Sequence, residues 1–306
     1  MPIANTWLTY QHFIEVIIML RNGVALLLML ALVPMAVAQA RTGDIKYNLV
    51  TFTADSNDER LTIAASLAVP KSDSAVPAVI VVHGSGGIDE RGSFYSQVLN
   101  QAGFATLELD MWAARGLQGG LSRPNHVRDT LPDIYAALDF LQQDERIDHN
   151  KVGLIGFSWG GVVAMLMATE DSPEAAGLSA LVANYPICWA YNKVPDYDFT
   201  EVVDGKSLLI VSGQQDLYDA PGDCDALIQK LPQEDQQQIE LLSLPFATHA
   251  FELPRASSEF YDPYAFRGAG GTFRFVITRL LLGAQPAIAG IFSVNICSSG
   301  LFALAR

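Results

Sequence analysis

The chain has 306 residues, of which 50% are hydrophobic and 17% charged, and its formal net charge at pH 7 is −14. This composition supplies enough apolar side chains for the core of one α/β domain of roughly 200–250 residues. The acidic balance argues against nucleic acid and anionic membranes as partners, because like charges repel.

The first 40 residues have the pattern of a signal peptide. An uncharged run, residues 24–38, follows Arg21 and ends in small residues. Small residues two positions apart suit cleavage near Ala38 or Ala40, so we expect a periplasmic or secreted mature protein. The uncharged run is short for a membrane span, and no stable span is expected after cleavage. An uncleaved anchor helix is the alternative.

The stretch before Arg21 is unusual for a signal peptide because it is long and carries Glu15. A signal that begins at Met19 has the ordinary order of a basic residue, an apolar core and small residues. We therefore expect translation to start at Met19, or residues 1–18 to be a dispensable extension.

Strand and helix patterns follow one another along residues 41–275, which form the predicted catalytic domain. Residues 45–53 and 61–70 are rich in β-branched and apolar side chains around a polar turn, which predicts a hairpin. Residues 77–87 are apolar and end in glycines, as in a central parallel strand. The further predicted elements are, in chain order, a helix at 93–102, a strand at 104–110, a helix at 125–142, a strand and a helix around Ser158, strands at 178–186 and 207–213, a helix at 223–231 and a strand at 238–245.

Strands that alternate with helices predict an α/β fold, in which a mostly parallel central sheet carries helices on both faces. Ligands of such sheets bind at the carboxyl ends of the strands. The polar residues that directly follow the predicted strands are therefore the candidates for a functional site.

A lone serine, Ser158, interrupts an apolar stretch at the junction of a predicted strand and a predicted helix. It lies at the centre of a G-x-S-x-G pattern over residues 156–160. The glycines allow a tight, strained turn that exposes the hydroxyl, and the following helix points its positive end at the site. We interpret Ser158 as a nucleophile. The alternative is a glycine-rich turn that only packs the helix.

A serine hydroxyl needs a base at neutral pH. His249 follows the last predicted strand, and the chain order serine, acid, histidine is the one expected for this kind of turn. Asp216, just past the strand at 207–213, is the predicted acid that fixes the imidazole tautomer, with Asp219 as the near alternative. A solvated loop histidine and a turn or capping aspartate are the alternatives for His249 and Asp216.

The glycine-rich segment 83–87 follows the third predicted strand. Its small residues let backbone N–H groups approach a substrate oxygen. The N–H groups of Ser85 and Trp159 are therefore the predicted oxyanion hole, with Gly86 as the second choice to Ser85. We expect His83 to hydrogen-bond the loop rather than to take part in catalysis.

With these residues in place, the chain resembles the α/β-hydrolase fold and, within it, the dienelactone hydrolase family, over residues 45–275. The segments that carry the resemblance are VVHGSGG, the strand entry at 103–110, GFSWGG, GQQD and THAF. The resemblance implies hydrolysis of an ester or lactone through an acyl-enzyme, without a metal or organic cofactor. Founding members use a cysteine nucleophile and a glutamate near the oxyanion loop. This chain has Ser158 and Gly84-Ser85 instead, and so resembles a serine-nucleophile branch.

Two arginines, from the resemblance, and three aromatic residues, from the sequence alone, are candidates for substrate binding. Arg115 and Arg255 lie near the places of the family's carboxylate-binding arginines, but neither spacing matches well, which favours surface arginines. Trp112, Trp189 and Tyr191 indicate an aromatic-lined pocket, with ordinary packing as an equal alternative.

Two cysteines are placed for a disulfide. Cys188 lies just past the predicted strand 178–186, and Cys224 lies past Asp216, beyond the end of the strand expected beside it. Neighbouring strands are about 4.8 Å apart, and bridged cysteines need Cα atoms within roughly 7 Å of each other. In an exported protein we therefore predict a disulfide between them.

The tail, residues 276–306, differs from the rest of the chain. Residues 268–306 contain no Asp, Glu or Lys, so the charged face of the helix that normally closes this fold is missing. A shifted reading frame near residue 275 and a loosely ordered or membrane-seeking tail are the two explanations.

These patterns together predict a periplasmic or secreted serine hydrolase of small esters or lactones. In it Ser158 attacks the carbonyl, His249 shuttles the proton and Asp216 holds His249. A peptidase or acyltransferase on the same fold, and a non-catalytic binding protein, are the alternatives. The exact substrate and the oligomeric state are not predicted.

Overall fold

The computed structural model describes residues 45–56, 59–253 and 259–274 of the protein. Among these residues, no helix has both the length and the apolar composition that crossing a bilayer requires. Three sequence-based predictions fall outside the described residues, namely the signal segment 1–40, the tail 276–306 and Arg255.

The described residues form ten strands and six α-helices, joined by loops and short 3-10 turns. The strands are β1 (Ile45–Ser56), β2 (Glu59–Pro70), β3 (Val76–Val82), β4 (Ala105–Asp110), β5 (Ile147–Phe157), β6 (Leu178–Asn184), β7 (Ser207–Gly213), β8 (Ile239–Leu244), β9 (Glu259–Asp262) and β10 (Gly271–Arg274). The helices are α1 (Glu90–Gln101), α2 (Leu131–Gln142), α3 (Trp159–Ala168), α4 (Asp223–Ile228), α5 (Gln233–Gln236) and α6 (Ala265–Gly268).

Strands β1 to β8 form one sheet in the order β1-β2-β4-β3-β5-β6-β7-β8. The predicted hairpin is the antiparallel pair β1–β2, in which Ile45 lies opposite Pro70, and β2 also pairs antiparallel with β4. All other pairs in this sheet are parallel. Strands β9 and β10 form a separate antiparallel pair. The predicted α/β class with a mostly parallel sheet is confirmed.

Alternate side chains of the central strands enter two different cores. On β3, Ala78, Ile80 and Val82 face the core that contains α2 and α3. Val79 and Val81 face the core that contains α1. Successive side chains of a strand point to opposite faces, so a strand covered on both sides must be apolar throughout. Helices on both faces are thus confirmed as well.

Helix α3 is enclosed by the rest of the fold. It has 10 residues, and all of them are buried. A helix that is apolar all round gains its stability from such burial rather than from an exposed polar face. The turn at its amino end is therefore fixed between the helix and the central strand β5.

Two helices start at a different residue from the predicted one, for local reasons. Helix α1 starts at Glu90, three residues before the predicted start, because the Asp89 side chain caps it. The predicted helix at 125–142 is a 3-10 turn, Val127–Thr130, followed by α2 from Leu131. Pro132 lacks an N–H and suits the first turn of a helix, so the α-helix begins there.

Candidate active site

Ser158 lies between β5 and α3 in a backbone conformation that few residues adopt. Its φ is 54° and its ψ is −106°, outside the ordinary helix and strand regions. The flanking glycines make this turn sterically possible. A β-carbon at Gly156 would lie 1.8 Å from the carbonyl oxygen of Gly160, and one at Gly160 would lie 2.3 Å from that of Val82. The turn leaves Ser158 partly exposed between two buried neighbours.

The side chains of Ser158, His249 and Asp216 form a continuous chain of hydrogen bonds. The Ser158 hydroxyl donates to Nε2 of His249 over 2.9 Å. The Nδ1–H of His249 donates to Oδ2 of Asp216 over 2.8 Å. His249 and Asp216 are each 5% exposed, so water competes little for these bonds. The structure therefore brings together the three residues that the sequence analysis selected.

Two tyrosine rings enclose the imidazole of His249. The ring centroid of Tyr218 lies 4.2 Å and that of Tyr185 lies 4.7 Å from the centroid of the imidazole. The Oδ1 of Asp216 also accepts the backbone N–H of Tyr218 over 2.8 Å. Asp216 thus accepts both the imidazole N–H and the backbone N–H of Tyr218, whose ring packs against the imidazole at a tilt of 37°. The bond from Nδ1–H fixes the tautomer in which Nδ1 is protonated.

A buried polar network that the sequence analysis missed lies behind Tyr185. The Nη1–H of Arg91 donates to the phenol oxygen of Tyr185 over 2.9 Å, and the phenol O–H donates to Oε1 of Glu252 over 2.6 Å. Burial raises the pKa of Glu252, while the charge of Arg91 acts in the opposite direction. The one signal in the sequence was an acidic residue directly after the THAF segment.

The two predicted oxyanion-hole residues lie beside the serine. Ser85, Trp159 and Ser158 line the same cavity. Trp159 is the first residue of α3, and so its N–H has no partner within the helix. The carbonyl oxygen of Ser85 accepts the indole N–H of Trp112 over 3.1 Å and the N–H of Gly120 over 2.7 Å. These bonds hold the glycine-rich loop at the edge of the cavity.

His83 connects this loop to the next strand end. Its Nδ1–H donates to the carbonyl oxygen of Gly84 over 2.8 Å, and its Nε2 accepts the N–H of Met111 over 3.0 Å. Burial lowers the pKa of His83, and the neutral ring supplies the one donor and one acceptor that these bonds require. His83 therefore holds the loop, as the sequence analysis expects.

The cavity at Ser158 has a volume of about 240 Å³ and a largely apolar and aromatic lining that includes Val162, Ile187 and Trp189. Arg123 supplies a positive charge. Its guanidinium carbon lies 5.4 Å from the ring centroid of Trp159 and 4.4 Å from that of Tyr264. Such stacking on aromatic faces orients a cation without neutralising it. The sequence analysis did not select Arg123, and no local pattern marks it.

Arg115 does not line the cavity at Ser158, so it is not the substrate-binding residue that was considered possible; nor is it the surface arginine that its spacing favoured, since its side chain is only 10% exposed. Its guanidinium donates to both carboxylate oxygens of Asp133, over 2.7 and 2.9 Å, and to the carbonyl oxygens of Met111 and Asp129. Asp133 is fully buried on α2, and a buried carboxylate is strongly destabilising without its cation. The role of Arg115 is therefore to neutralise the buried carboxylate of Asp133. The signal for this pairing was an aspartate among the apolar positions of the predicted helix.

Only one of the three aromatic residues expected around the pocket lines it. Trp189 does so, whereas Trp112 and Tyr191 are each 2% exposed and belong to the core. Trp112 packs edge-on against Trp159, with ring centroids 5.4 Å apart. Trp112 therefore packs against Trp159 within the core rather than facing the cavity.

Cys188 and Cys224 form a disulfide, with Cα atoms 5.0 Å apart. Asp219, the near alternative to Asp216, lies beside the disulfide, and its two carboxylate oxygens accept the backbone N–H groups of Cys188 and Trp189, each over 2.8 Å. Burial raises the pKa of Asp219 to about 7, and the negative charge of Asp216 acts in the same direction. The disulfide uses both sulfur atoms, so this cluster offers no thiolate to a metal ion.

Comparison with known proteins finds one matching family and several relatives. The model of the dienelactone hydrolase family matches residues 63–269. A Synechocystis sp. protein named "Putative carboxymethylenebutenolidase" is 24% identical over 223 residues, which cover 69% of this chain and 88% of that protein. "Putative esterase NocK" of Nocardia uniformis subsp. tsuyamanensis is 32% identical over 132 residues, which cover 40% of this chain and only 37% of NocK.

A solved structure shows the same fold. The esterase of Pyrobaculum calidifontis superposes with a TM-score of 0.58 at 14% sequence identity, covering 82% of this chain and 86% of that one. At this identity the likeness concerns the arrangement of strands and helices only. The predicted α/β-hydrolase fold is thus confirmed.

Proposed function

The chain belongs to the dienelactone hydrolase family, and from that premise we propose that it is a serine hydrolase that cleaves small carboxylic esters or lactones through an acyl-enzyme. The observation that carries the proposal is the hydrogen-bonded chain from Asp216 through His249 to the Ser158 hydroxyl. A hydroxyl becomes a usable nucleophile when an oriented base stands ready to take its proton.

In the acylation step, Oγ of Ser158 attacks the carbonyl carbon while Nε2 of His249 takes the hydroxyl proton. The imidazolium that forms is stabilised by the carboxylate of Asp216, which already accepts the Nδ1–H. His249 then passes the proton to the leaving alkoxide. In deacylation, Nε2 of His249 takes a proton from water while the water oxygen attacks the acyl carbon. The bond to Oγ of Ser158 then breaks, the carboxylic acid leaves, and His249 returns the proton to Oγ.

The carbonyl oxygen becomes negatively charged when Ser158 attacks. We assign its stabilisation to the N–H groups of Trp159 and Ser85. Support comes from the position of Trp159 at the amino end of α3 and from the anchored loop that carries Ser85. Preorganised donors of this kind are each worth about 10²–10³ in rate.

The size and lining of the cavity support small substrates. Its volume of about 240 Å³ lies below the range of roughly 300–1,000 Å³ typical of pockets for drug-sized ligands. Apolar and aromatic side chains suit a short acyl or lactone ring, and Arg123 adds a positive charge to the lining of the cavity that Ser158 also lines.

An exported location is the second part of the proposal. The Cys188–Cys224 disulfide supports it, because disulfides persist in oxidising compartments such as the periplasm and the extracellular medium. Cell fractionation, followed by mass spectrometry of the mature amino terminus, tests it. A mature chain that begins near Gln39 or Arg41 supports the proposal, and an uncleaved cytoplasmic chain contradicts it.

The activity is tested by labelling with a fluorophosphonate, which reacts with activated serines. We expect labelling of the native protein, loss of labelling in Ser158→Ala, and full labelling of Ser74→Ala, which changes an exposed serine. A panel of p-nitrophenyl esters and lactones, assayed with and without an added acyl acceptor, then separates hydrolysis from acyl transfer. Folded native protein that is not labelled would instead support a non-catalytic binding protein.

A further inference from the structure

One wall of the cavity is formed by a short segment after β6. We call residues 185–191 the wall segment. Ile187, Trp189 and Ala190 of this segment line the cavity together with Ser158. The position of the wall segment therefore decides how much room a substrate has beside the nucleophile.

The backbone of the wall segment is not in a conformation that its own residues favour. Tyr185 has a φ of 41° and Ile187 has a φ of 60°. Both lie in the left-handed region, which is an outlier for a β-branched residue such as isoleucine. Backbone strain of this kind persists only where surrounding contacts hold it. The wall segment therefore depends on ties from outside itself.

Two such ties converge on consecutive residues of the wall segment. The carboxylate of Asp219 accepts the N–H groups of Cys188 and Trp189, one on each oxygen, both over 2.8 Å. The disulfide joins Cys188 to Cys224 on α4. The indole nitrogen of Trp189 is buried and has no hydrogen-bond partner among the residues that the structure describes. The ring is thus held through its backbone and by packing rather than by its own polar group.

One tie, Asp219, lies in the loop that also carries the acid of the proposed triad, and the other, Cys224, lies on α4, which follows that loop. Asp216 holds His249, and Tyr218 packs against the imidazole. Asp219, three residues after Asp216, accepts hydrogen bonds from the wall segment and not from His249. The loop after β7 therefore orients the base with one carboxylate and the substrate pocket with another.

We propose that Asp219 and the Cys188–Cys224 disulfide are positioning groups that hold the wall segment in place, and that they govern substrate binding rather than the chemical step. The inference rests on the proposed esterase function, since it concerns the pocket of that site. Loss of either tie lets the strained backbone relax, so Trp189 leaves its place in the cavity lining while the Ser158–His249–Asp216 chain stays intact.

Steady-state kinetics of Asp219 variants test the proposal. Asp219→Asn keeps the shape but replaces one acceptor oxygen by an amide nitrogen, which cannot accept, and Asp219→Ala removes both acceptors. We expect KM for a p-nitrophenyl ester to rise about tenfold in the first variant and further in the second, with kcat within about twofold of the native value. A rise in KM at constant kcat marks the loss of uniform binding.

Removal of the disulfide is the second arm. Dithiothreitol gives two electrons and two protons to the disulfide, which yields two cysteine thiols and oxidised cyclic dithiothreitol. Since both cysteines are buried, the variant Cys188→Ala/Cys224→Ala replaces reduction where the reagent does not reach them. We expect the same rise in KM. Amide hydrogen exchange at Cys188 and Trp189 should also become faster in the Asp219 variants, a readout that needs no catalysis.

Asp225→Asn is the matched control, because Asp225 lies exposed on the same helix α4. We expect it to leave KM, kcat and amide exchange unchanged. Unchanged KM in folded Asp219 and cysteine variants would overturn the inference, as would an equal fall in kcat and kcat/KM. Native protein that neither turns over esters nor reacts with fluorophosphonate would instead refute the proposed function, so the two failures are distinguishable.

Discussion

Two regions of the site are held by different kinds of contact. One consists of the proposed catalytic residues Ser158, Asp216 and His249, which we call the floor, and the other is the wall segment 185–191. The floor is joined by side-chain hydrogen bonds among its own members, each at the end of a strand or in the loop after one. The wall segment is held by two backbone N–H groups that donate to Asp219 and by the Cys188–Cys224 disulfide. The phenol of Tyr185, bonded to Arg91 and Glu252, anchors its first residue. We therefore expect changes to the ties of the wall segment to alter substrate binding without altering the proposed chemistry.

Asp216→Asn most directly disrupts the hydrogen bonds among the floor residues. The amide can offer its N–H to Nδ1, so His249 adopts the wrong tautomer and no longer accepts the Ser158 proton. We expect kcat to fall by about 10⁴ with little change in KM, measured with a p-nitrophenyl ester. Asp204→Asn, an exposed aspartate, serves as the control. Activity within tenfold of native would show that Asp219 or another acid orients His249.

The turn that carries Ser158 is tested by Gly160→Ala. A β-carbon there would lie 2.3 Å from the carbonyl oxygen of Val82, so the backbone of β3 or α3 must move. We expect a loss of about 3 kcal/mol in the free energy of unfolding, measured by urea denaturation. At Gly86 a β-carbon would meet no atom of the described residues within 4 Å, so Gly86→Ala should cost far less. Equal losses in both variants would contradict the steric account of the turn.

Arg123 lies in the cavity but outside both regions, and Arg123→Met removes its charge while keeping an apolar chain over the rings. We expect KM to rise about tenfold for an ester that carries a carboxylate, since one charge-assisted contact is lost. A neutral ester of the same size should be unaffected, and the exposed Arg60→Met should change neither. Equal effects on both esters would mean that Arg123 acts by packing rather than by charge.

The smallest effect is expected from Glu108 on β4. Its substitution tests whether the free energy of unfolding can change while the kinetic constants stay the same. Burial, together with the charges of Asp89 and Asp110, raises the pKa of Glu108 to about 7. The folded state therefore keeps a proton that the unfolded chain has already lost above about pH 4.3.

It follows that stability from this group is fully present below about pH 4 and is lost as pH rises toward 7. Relative to Glu108→Gln, the native protein should lose about 1 kcal/mol of unfolding free energy across that window, after allowance for partial exposure. Kinetic constants should stay the same. Glu240→Gln, on the exposed side of β8, is the control. A difference that grows in the opposite direction would refute the raised pKa.

Much of the floor was predictable because its signals are local. The glycines around Ser158 satisfy a steric requirement within five residues, and the apolar runs on either side specify a strand and a helix. Asp216 and His249 follow predicted strands, and strand ends of a parallel sheet meet at one edge. The disulfide followed from the same rule, since its two cysteines lie beyond neighbouring strands.

The pairings of charged side chains were not predictable in the same way. Arg115 and Arg123 are eight positions apart in one loop region, and nothing in their neighbours distinguishes the residue that pairs with buried Asp133 from the residue that faces the cavity. The Arg91–Tyr185–Glu252 network likewise joins three distant segments.

The amino-acid sequence by itself determined the class of fold, the strained serine turn and the residues of the floor, because each depends on sterics or hydrophobic periodicity within a few residues. Only the tertiary structure decided which arginine enters the cavity, which aspartate holds the wall segment and what encloses His249. Those outcomes depend on long-range approach of side chains in a low-dielectric interior, where a partner is chosen by position in space rather than along the chain.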